Sequence, residues 1–413
     1  MKLKTKTIPQ FFLTIFFVLI YFTPEFRFLP YYTWALAMVG FLLVVNSNVR
    51  KNLCFGDRTN TNFLILFAIG LGMLGIIIPI SHFTFDFSYV PLLLGMILCL
   101  LRNFLVVYVI KKHSGENGIR GYMDLFLNAC CICVMFTLLF IAFPGFKSFW
   151  LNNVIVNNAS EAHASWAAYE FRYSIGGFAA YAYATIFSFA IIMAAYFICA
   201  NGASMKDIIR FIAVCVGGFF YGRITLFAIL IGLVLILFKS KSILSLMKFL
   251  LIMGCGATVL LMILNQLGEH DSRFVVWSNW AFSFVRDLFV RKEITTHSVT
   301  YMLNDMYFIP EFSTLLIGDG YYTDPVTARY YMSTDVGYMR MILYGGIISA
   351  IIAYTPMFYM LKKIMEKTQD KLFKRFIIAL FIMWLILEAK GESYYRVILV
   401  MYPVLLLVNR RKV

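Results

Sequence analysis

Charge is scarce in this chain. Only 14% of its 413 residues are Asp, Glu, Lys or Arg, against about a quarter in soluble domains. Beside 61% hydrophobic residues, that scarcity excludes a soluble globular protein. Histidine is reduced to five residues (His82, His113, His163, His270 and His297). None has metal-ligand spacing and there is no HExxH, so no metal site is expected. The chain also lacks a GxxxxGK[ST] loop and a helix-opening GxGxxG, which leaves nucleotide-driven work without support and implies no cofactor. Cysteine is absent from the outer loops. All eight (Cys54, Cys99, Cys130, Cys131, Cys133, Cys199, Cys215, Cys255) fall in apolar runs or basic segments, so no disulfide framework is expected. Cys130, Cys131 and Cys133 read as packing residues.

What the chain has instead is apolar runs of roughly 15 to 25 residues from end to end, the length that crosses a bilayer. Backbone groups in lipid must be satisfied within the segment, so such runs are helices. The expected fold is an all-α polytopic membrane protein, a single integral domain over residues 1–413. Twelve spans are predicted: residues 9–24, 31–46, 63–80, 88–110, 124–144, 177–200, 207–221, 224–238, 245–264, 334–361, 376–391 and 396–409. No small-residue cleavage site follows the first, which is therefore read as retained. Most of the 36 Lys and Arg residues fall in one alternate set of loops, which orients the array with both termini cytoplasmic. The formal charge of +15 is thus a topology signal and an attraction to anionic headgroups. Nucleic-acid binding is not expected.

Two outer segments interrupt this rhythm, a medium loop at residues 145–176 and a long one at 265–333. Loops of such length usually carry function or structure of their own. In the longer one, Phe274, Trp277, Ala281, Phe284 and Leu288 recur at helical spacing. They predict an amphipathic helix on the outer leaflet, acting as a lid or simply covering the bundle. The Gly, Asp and Pro of residues 317–331 mark turns. No internal repeat is visible, which disfavours an inverted-repeat transporter.

Arginine stands where positive charge is usually avoided. Arg172 lies at the outer mouth of the sixth span, and Arg223 follows Gly222 in the tight outer turn between the seventh and eighth. An ionisable residue at such a position marks a functional site unless it merely anchors a helix end. Asp335, Tyr338 and Arg340 open the tenth span. Asp335 and Tyr338, three residues apart, share a helical face, whereas Arg340 lies roughly 140° away. Asp335 also suits a helix start electrostatically. Near the last outer turn Arg396 clusters with Glu388, Lys390 and Glu392, which are expected to pair with one another or with a ligand.

At these residues the chain resembles the bacterial O-antigen polymerases of the Wzy type, which form one membrane superfamily with the O-antigen ligases. Three patterns carry the resemblance: the R-x-S-x-G of Arg172, Ser174 and Gly176; the Gly222-Arg223 pair before an apolar run; and IGDGYY (residues 317–322) followed by TDVGYMRMILYGGI (residues 334–347). Thr334, Asp335 and Val336 stand where the ligases typically place His-Asn, so polymerase is favoured over ligase. Arg172 and Arg329 have Tyr183 and Arg340 at the offset where some polymerases carry Gly.

The resemblance implies transfer of a growing glycan from undecaprenyl pyrophosphate to the non-reducing end of a lipid-linked repeat unit, at the periplasmic face of the inner membrane. Arg172, Arg223, Arg340 and Arg396 would bind pyrophosphate, since guanidinium forks match phosphate oxygens and stay protonated. Asp335 is the first candidate base and Glu170 the second, with Tyr338 beside them. Tyr173, Trp277, Trp280, Tyr321 and Tyr322 are candidates to stack on sugars or to anchor at the interface. Neither metal nor cofactor is required. The implied partners are the lipid-linked glycans, membrane lipids and a chain-length-regulating co-polymerase. An O-antigen ligase and a lipid-linked oligosaccharide flippase are the alternatives.

Overall fold

The computed structural model describes residues 9–49, 58–114, 117–155, 171–178, 180–239, 266, 272–283 and 297–408. The expected span 245–264, the candidate base Glu170, and Phe284 and Leu288 of the amphipathic pattern lie outside the described residues. The described residues are predominantly helical with almost no sheet, and the elements divide into two compact units. One comprises residues 1–20, 31–126 and 301–413; the other comprises 21–30 and 127–300.

In the first unit, α1 (Gln10–Tyr21) and α2 (Tyr32–Val45) precede α3 (Arg58–Ser81) and α4 (Val90–Ser114). The helix α5 (Gly118–Ala142) passes from this unit into the second. There α6 (Pro144–Asn153) leads to a two-stranded hairpin, β1 (Tyr173–Ser174) and β2 (Gly177–Phe178). It is followed by α7 (Tyr181–Asn201), α8 (Met205–Tyr221), α9 (Thr225–Lys239) and α10 (Ser272–Ala281). After α11 (His297–Tyr301) the first unit resumes with α12 (Phe312–Ile317), α13 (Gly337–Lys367), α14 (Lys371–Lys390) and α15 (Tyr394–Leu407).

Each predicted span within the described residues falls on one of these helices. Among the described residues, five stretches are long and apolar enough to cross a membrane: Asn62–Ser81, Val90–Ser114, Gly118–Ala142, Tyr181–Asn201 and Gly337–Lys367. Four shorter apolar helices (α1, α2, α9 and α15) accompany them. Two boundaries differ from expectation. The sixth span starts at Tyr181, because residues 173–178 fold back as the hairpin. The tenth starts at Gly337 after an extended Val336, which leaves Asp335 in the preceding loop. The first part of the segment 145–176 is helical rather than loop: Pro144, with its preset φ, occupies the first turn of α6.

The second unit is built around α7, whose residues 183 to 199 are all buried. A helix apolar on every side and enclosed on every side is a core element. It packs against α8 and α9. Lipid tails are as apolar as leucine, so close packing and interhelical hydrogen bonds hold such helices together rather than hydrophobic transfer. Gly217 shows the closeness: a Cβ there would lie 2.3 Å from Val134 and 2.7 Å from Phe187. At the other end of α7 the short turn is locked by α8's N-cap. Ser204 Oγ accepts from the Asp207 amide at 3.3 Å, and the Asp207 carboxylate accepts from Asn201 at 2.8 Å.

In the first unit α4 packs on α2, α3 and α15, and α13 packs on α3, α12, α14 and α15. The helix α13 is broken at Gly345 and Gly346, where φ reaches 69° and ψ −171° at Gly346. Such a kink frees carbonyls that need donors. The IGDG turn supplies them: the Asp319 amide donates to Leu343 O at 2.7 Å and the Gly320 amide to Tyr344 O at 3.0 Å. The two glycine-bearing motifs are therefore halves of one joint. A Cβ on Gly346 would meet Leu316 O at 2.1 Å, in a left-handed conformation that disfavours any other residue. Gly346→Ala should lower the melting temperature measured in detergent by several degrees, the scale of a ~2 kcal/mol loss. Gly72→Ala, with nothing within 4 Å of its Cβ, should leave it unchanged. Equal melting temperatures for both would show that the joint does not constrain the fold.

Candidate functional site

Two of the second unit's arginines meet at one indole. Arg172 lies just before β1, and its guanidinium carbon sits 4.2 Å from the ring centre of Trp280, at the end of α10. Arg223, in the turn after α8, sits 4.9 Å from the same ring. It donates to Ser283 Oγ at 2.5 Å and to Trp280 O at 3.5 Å. A tryptophan face attracts cations, and two cations on one face-bearing side chain concentrate positive potential at that point.

The motif residues around these arginines do the positioning. Ser174 Oγ donates to Cys133 O at 2.8 Å, and Thr137 Oγ1 donates to Tyr173 O at 3.0 Å, so the hairpin is fastened to α5. Tyr221 OH pairs with the same Thr137 hydroxyl at 2.7 Å, which fixes the end of α8 and with it Gly222 and Arg223. Gly176 presents its amide to Tyr183 OH at 3.1 Å, and that hydroxyl donates to Phe22 O at 3.2 Å. Gly176 has no room for a side chain, since a Cβ would lie 2.3 Å from Phe22 O.

The helix expected on the outer leaflet is α10, but its tryptophan faces protein rather than lipid. Trp277 is fully buried against Phe220 at 4.9 Å, Phe219 at 5.8 Å and Phe171 at 5.9 Å. Its burial orients Trp280 three residues on. Periodicity marked the helix correctly but could not say which surface its apolar face would meet.

The first unit carries Asp335, Tyr338, Arg340 and Arg396. Arg340 is buried and pairs with Glu392 at 2.9 Å. Its guanidinium carbon lies 4.0 Å from the Tyr322 ring and 3.9 Å from the Tyr330 ring. Tyr322 also donates its hydroxyl to Glu392. Engaged in this way, Arg340 does not present an open fork to pyrophosphate, the role expected of it from sequence. Arg396 rests over Tyr395 at 4.6 Å, and the acids near it are occupied elsewhere. Glu392 serves Arg340, while Glu388, fully buried, accepts from Tyr354 OH at 3.0 Å, Ser393 N at 2.9 Å and Ser393 Oγ at 2.7 Å.

Tyr338 turns toward α14, donating to Leu385 O at 2.9 Å. Asp335 stays apart from that contact, half-buried, with Oδ1 lacking a hydrogen-bond partner. Burial raises its carboxyl above the usual range, against the opposing pull of Lys390 and Arg340. Below it, Asp86 anchors the loop that carries Tyr322. Burial alone would raise the Asp86 carboxyl, but hydrogen bonds from Ser88, Thr323 and Tyr322 hold it low. Tyr322 and Tyr173, read as candidates for sugar stacking, are both buried. Sequence reasoning missed Ser283, Tyr330 and the pairing of Arg340 with Glu392. Only the aromatic density of the loops hinted at them.

Comparison of the chain with protein-family models, with curated proteins and with solved structures gives no match.

The raised carboxyl of Asp335 has a definite consequence for stability. A proton held more tightly by the folded state stabilises fully below the ordinary value of 3.8, and that stabilisation is lost as pH rises through the folded value. At neutral pH the ionised group therefore opposes folding. Asp335→Asn should raise the melting temperature at pH 7 and leave it unchanged at a pH below 3.8. A lower melting temperature at pH 7 would show that Asp335 is held by a compensating contact instead.

Proposed function

We propose that this chain is a surface-polysaccharide polymerase of the O-antigen type, a twelve-span protein of the bacterial inner membrane with its site at the periplasmic face. It takes a growing glycan from undecaprenyl pyrophosphate and places it on the non-reducing end of a lipid-linked repeat unit. The observation that carries the reading is the convergence of Arg172 and Arg223 on Trp280. Two permanently charged forks at the outer end of apolar helices suit a pyrophosphate whose lipid tail lies in the bilayer.

In this reaction an acceptor hydroxyl oxygen bonds to the anomeric carbon of the donor sugar. The bond from that carbon to the pyrophosphate oxygen breaks, and undecaprenyl pyrophosphate leaves with the electron pair. Arg172 and Arg223 stabilise the charge that develops on it, the kind of electrostatic help that commonly dominates catalysis. The hydroxyl proton passes to a carboxylate base, for which the sequence offers Asp335 first and Glu170 second. Arg396 remains available to phosphate, and a co-polymerase that sets chain length is an expected partner.

A strain lacking the gene should show a lipopolysaccharide core bearing a single repeat unit and no ladder. A bare core would point to ligase or flippase chemistry instead. Arg172→Ala and Arg223→Ala should each slow polymer formation by about a hundredfold or more, the cost of losing one charge-stabilising donor, while the protein still inserts. Arg→Lys at either position should leave a fainter ladder, because lysine keeps the charge without the fork. Full-length polymer from both alanine variants would overturn the phosphate role.

A further inference from the structure

Three buried polar atoms around the start of α13 have no hydrogen-bond partner among the described residues: Nε of Arg340, Oε1 of Glu392 and Oδ1 of Asp335. Arg340 and Glu392 are ion-paired at 2.9 Å, and Asp335 lies within electrostatic reach of Arg340. Native proteins leave few such atoms unmatched, and several within one cluster call for an explanation. These three present one donor and two acceptors to whatever would complete them.

That combination selects a chemical class. A phosphate offers only acceptors and negative charge, so the Glu392 and Asp335 carboxylates would repel it. A hydroxyl both donates and accepts, and several hydroxyls on a rigid frame match all three atoms. The aromatic setting points the same way. Arg340 lies between the rings of Tyr322 and Tyr330, Tyr395 stands beside the cluster, and Tyr321 stacks on Tyr331 at 5.3 Å. A pyranose has an apolar C–H face to lie against such rings and a rim of hydroxyls to turn toward the polar atoms.

The two tyrosines on Arg340 are not equivalent. Tyr322 is buried and bonded to Glu392. Tyr330 is 49% exposed and sits on a small hairpin closed by the Thr323–Tyr330 bridge. Asp324 shapes its turn, accepting from the amides of Val326 and Thr327 at 3.0 Å and 2.7 Å, and the Asp324 amide donates to Arg329 O at 2.8 Å. The hairpin holds itself together, so Tyr330 can leave Arg340 without disturbing the core.

We propose that Arg340, Glu392, Asp335 and Tyr330 form a binding site for a neutral pyranose, in which a sugar ring takes the place of Tyr330 over Arg340. The ligand class deepens the proposed polymerase reading, with this site holding a sugar of the acceptor repeat. The polar atoms in it are left unmatched until hydroxyls arrive.

The test uses the full chain in lipid nanodiscs and saturation-transfer NMR with a panel of methyl hexopyranosides, N-acetylhexosaminides and deoxyhexosides at millimolar concentration. At least one should receive saturation from the protein, and excess inorganic pyrophosphate should not displace it. Glu392→Gln should weaken binding about tenfold, as expected when a contact that completes buried polar groups is removed, whereas Tyr330→Ala, which takes away the ring that the sugar displaces, should strengthen it. Tyr330 is exposed, so its variant remains informative if Glu392→Gln fails to fold. Arg172→Ala should bind the sugar normally. Absence of binding across the panel, binding unaffected by Tyr330→Ala, or displacement by pyrophosphate would each overturn the site. Sugar binding alongside normal polymer from the Arg172 and Arg223 variants would sink the phosphate role and leave this site standing. Loss of polymer from those variants with no sugar binding would do the reverse.

Discussion

Four arginines of this protein lie against aromatic rings. Arg172 and Arg223 share Trp280, Arg340 lies between Tyr322 and Tyr330, and Arg396 rests on Tyr395. A guanidinium beside a bilayer needs compensation for lost water. An aromatic face supplies part of it without neutralising the charge, as a carboxylate would. Arg340 is paired with Glu392 as well as stacked.

The remaining architecture follows from fixing those rings and charges. In the second unit the hydroxyls of Thr137, Ser174 and Tyr221 fasten the hairpin and the end of α8 to α5, and burial of Trp277 sets the position of α10. In the first unit the IGDG turn docks into the break of α13, and the chain then continues directly into Tyr321 and Tyr322. Asp86 holds that segment through the amides of Tyr322 and Thr323 at 2.7 Å and 2.8 Å. Both units thus use short polar motifs as joints that aim a side chain, and both place those joints beside long apolar helices.

Much of this was readable from the chain, and the limits have physical causes. Apolar runs located the helices because backbone satisfaction in lipid leaves few alternatives. Arg172, Ser174, Gly222 and Arg223 also stood out, because charge and glycine are conspicuous in apolar surroundings. The break in α13 was not, since it depends on a turn some twenty-five residues earlier supplying two amides. Periodicity found α10 but assigned its tryptophan to the lipid, because spacing reports that a face is apolar without reporting what covers it. The angular argument took Asp335 as part of the helix, whereas α13 starts at Gly337 after an extended Val336. It could not find Glu392 as the arginine's partner, which required the fold of the last two helices.

The central claim is that a charged clamp on Trp280 releases a glycan from its pyrophosphate carrier without moving it across the membrane. The most direct measurement places the purified chain in one-bilayer nanodiscs with isolated undecaprenyl-pyrophosphate-linked repeat units and follows the lipid products. The account predicts lengthened glycans together with one free undecaprenyl pyrophosphate for each unit added. Unaltered repeat units, in discs where the chain is folded and binds them, would contradict it.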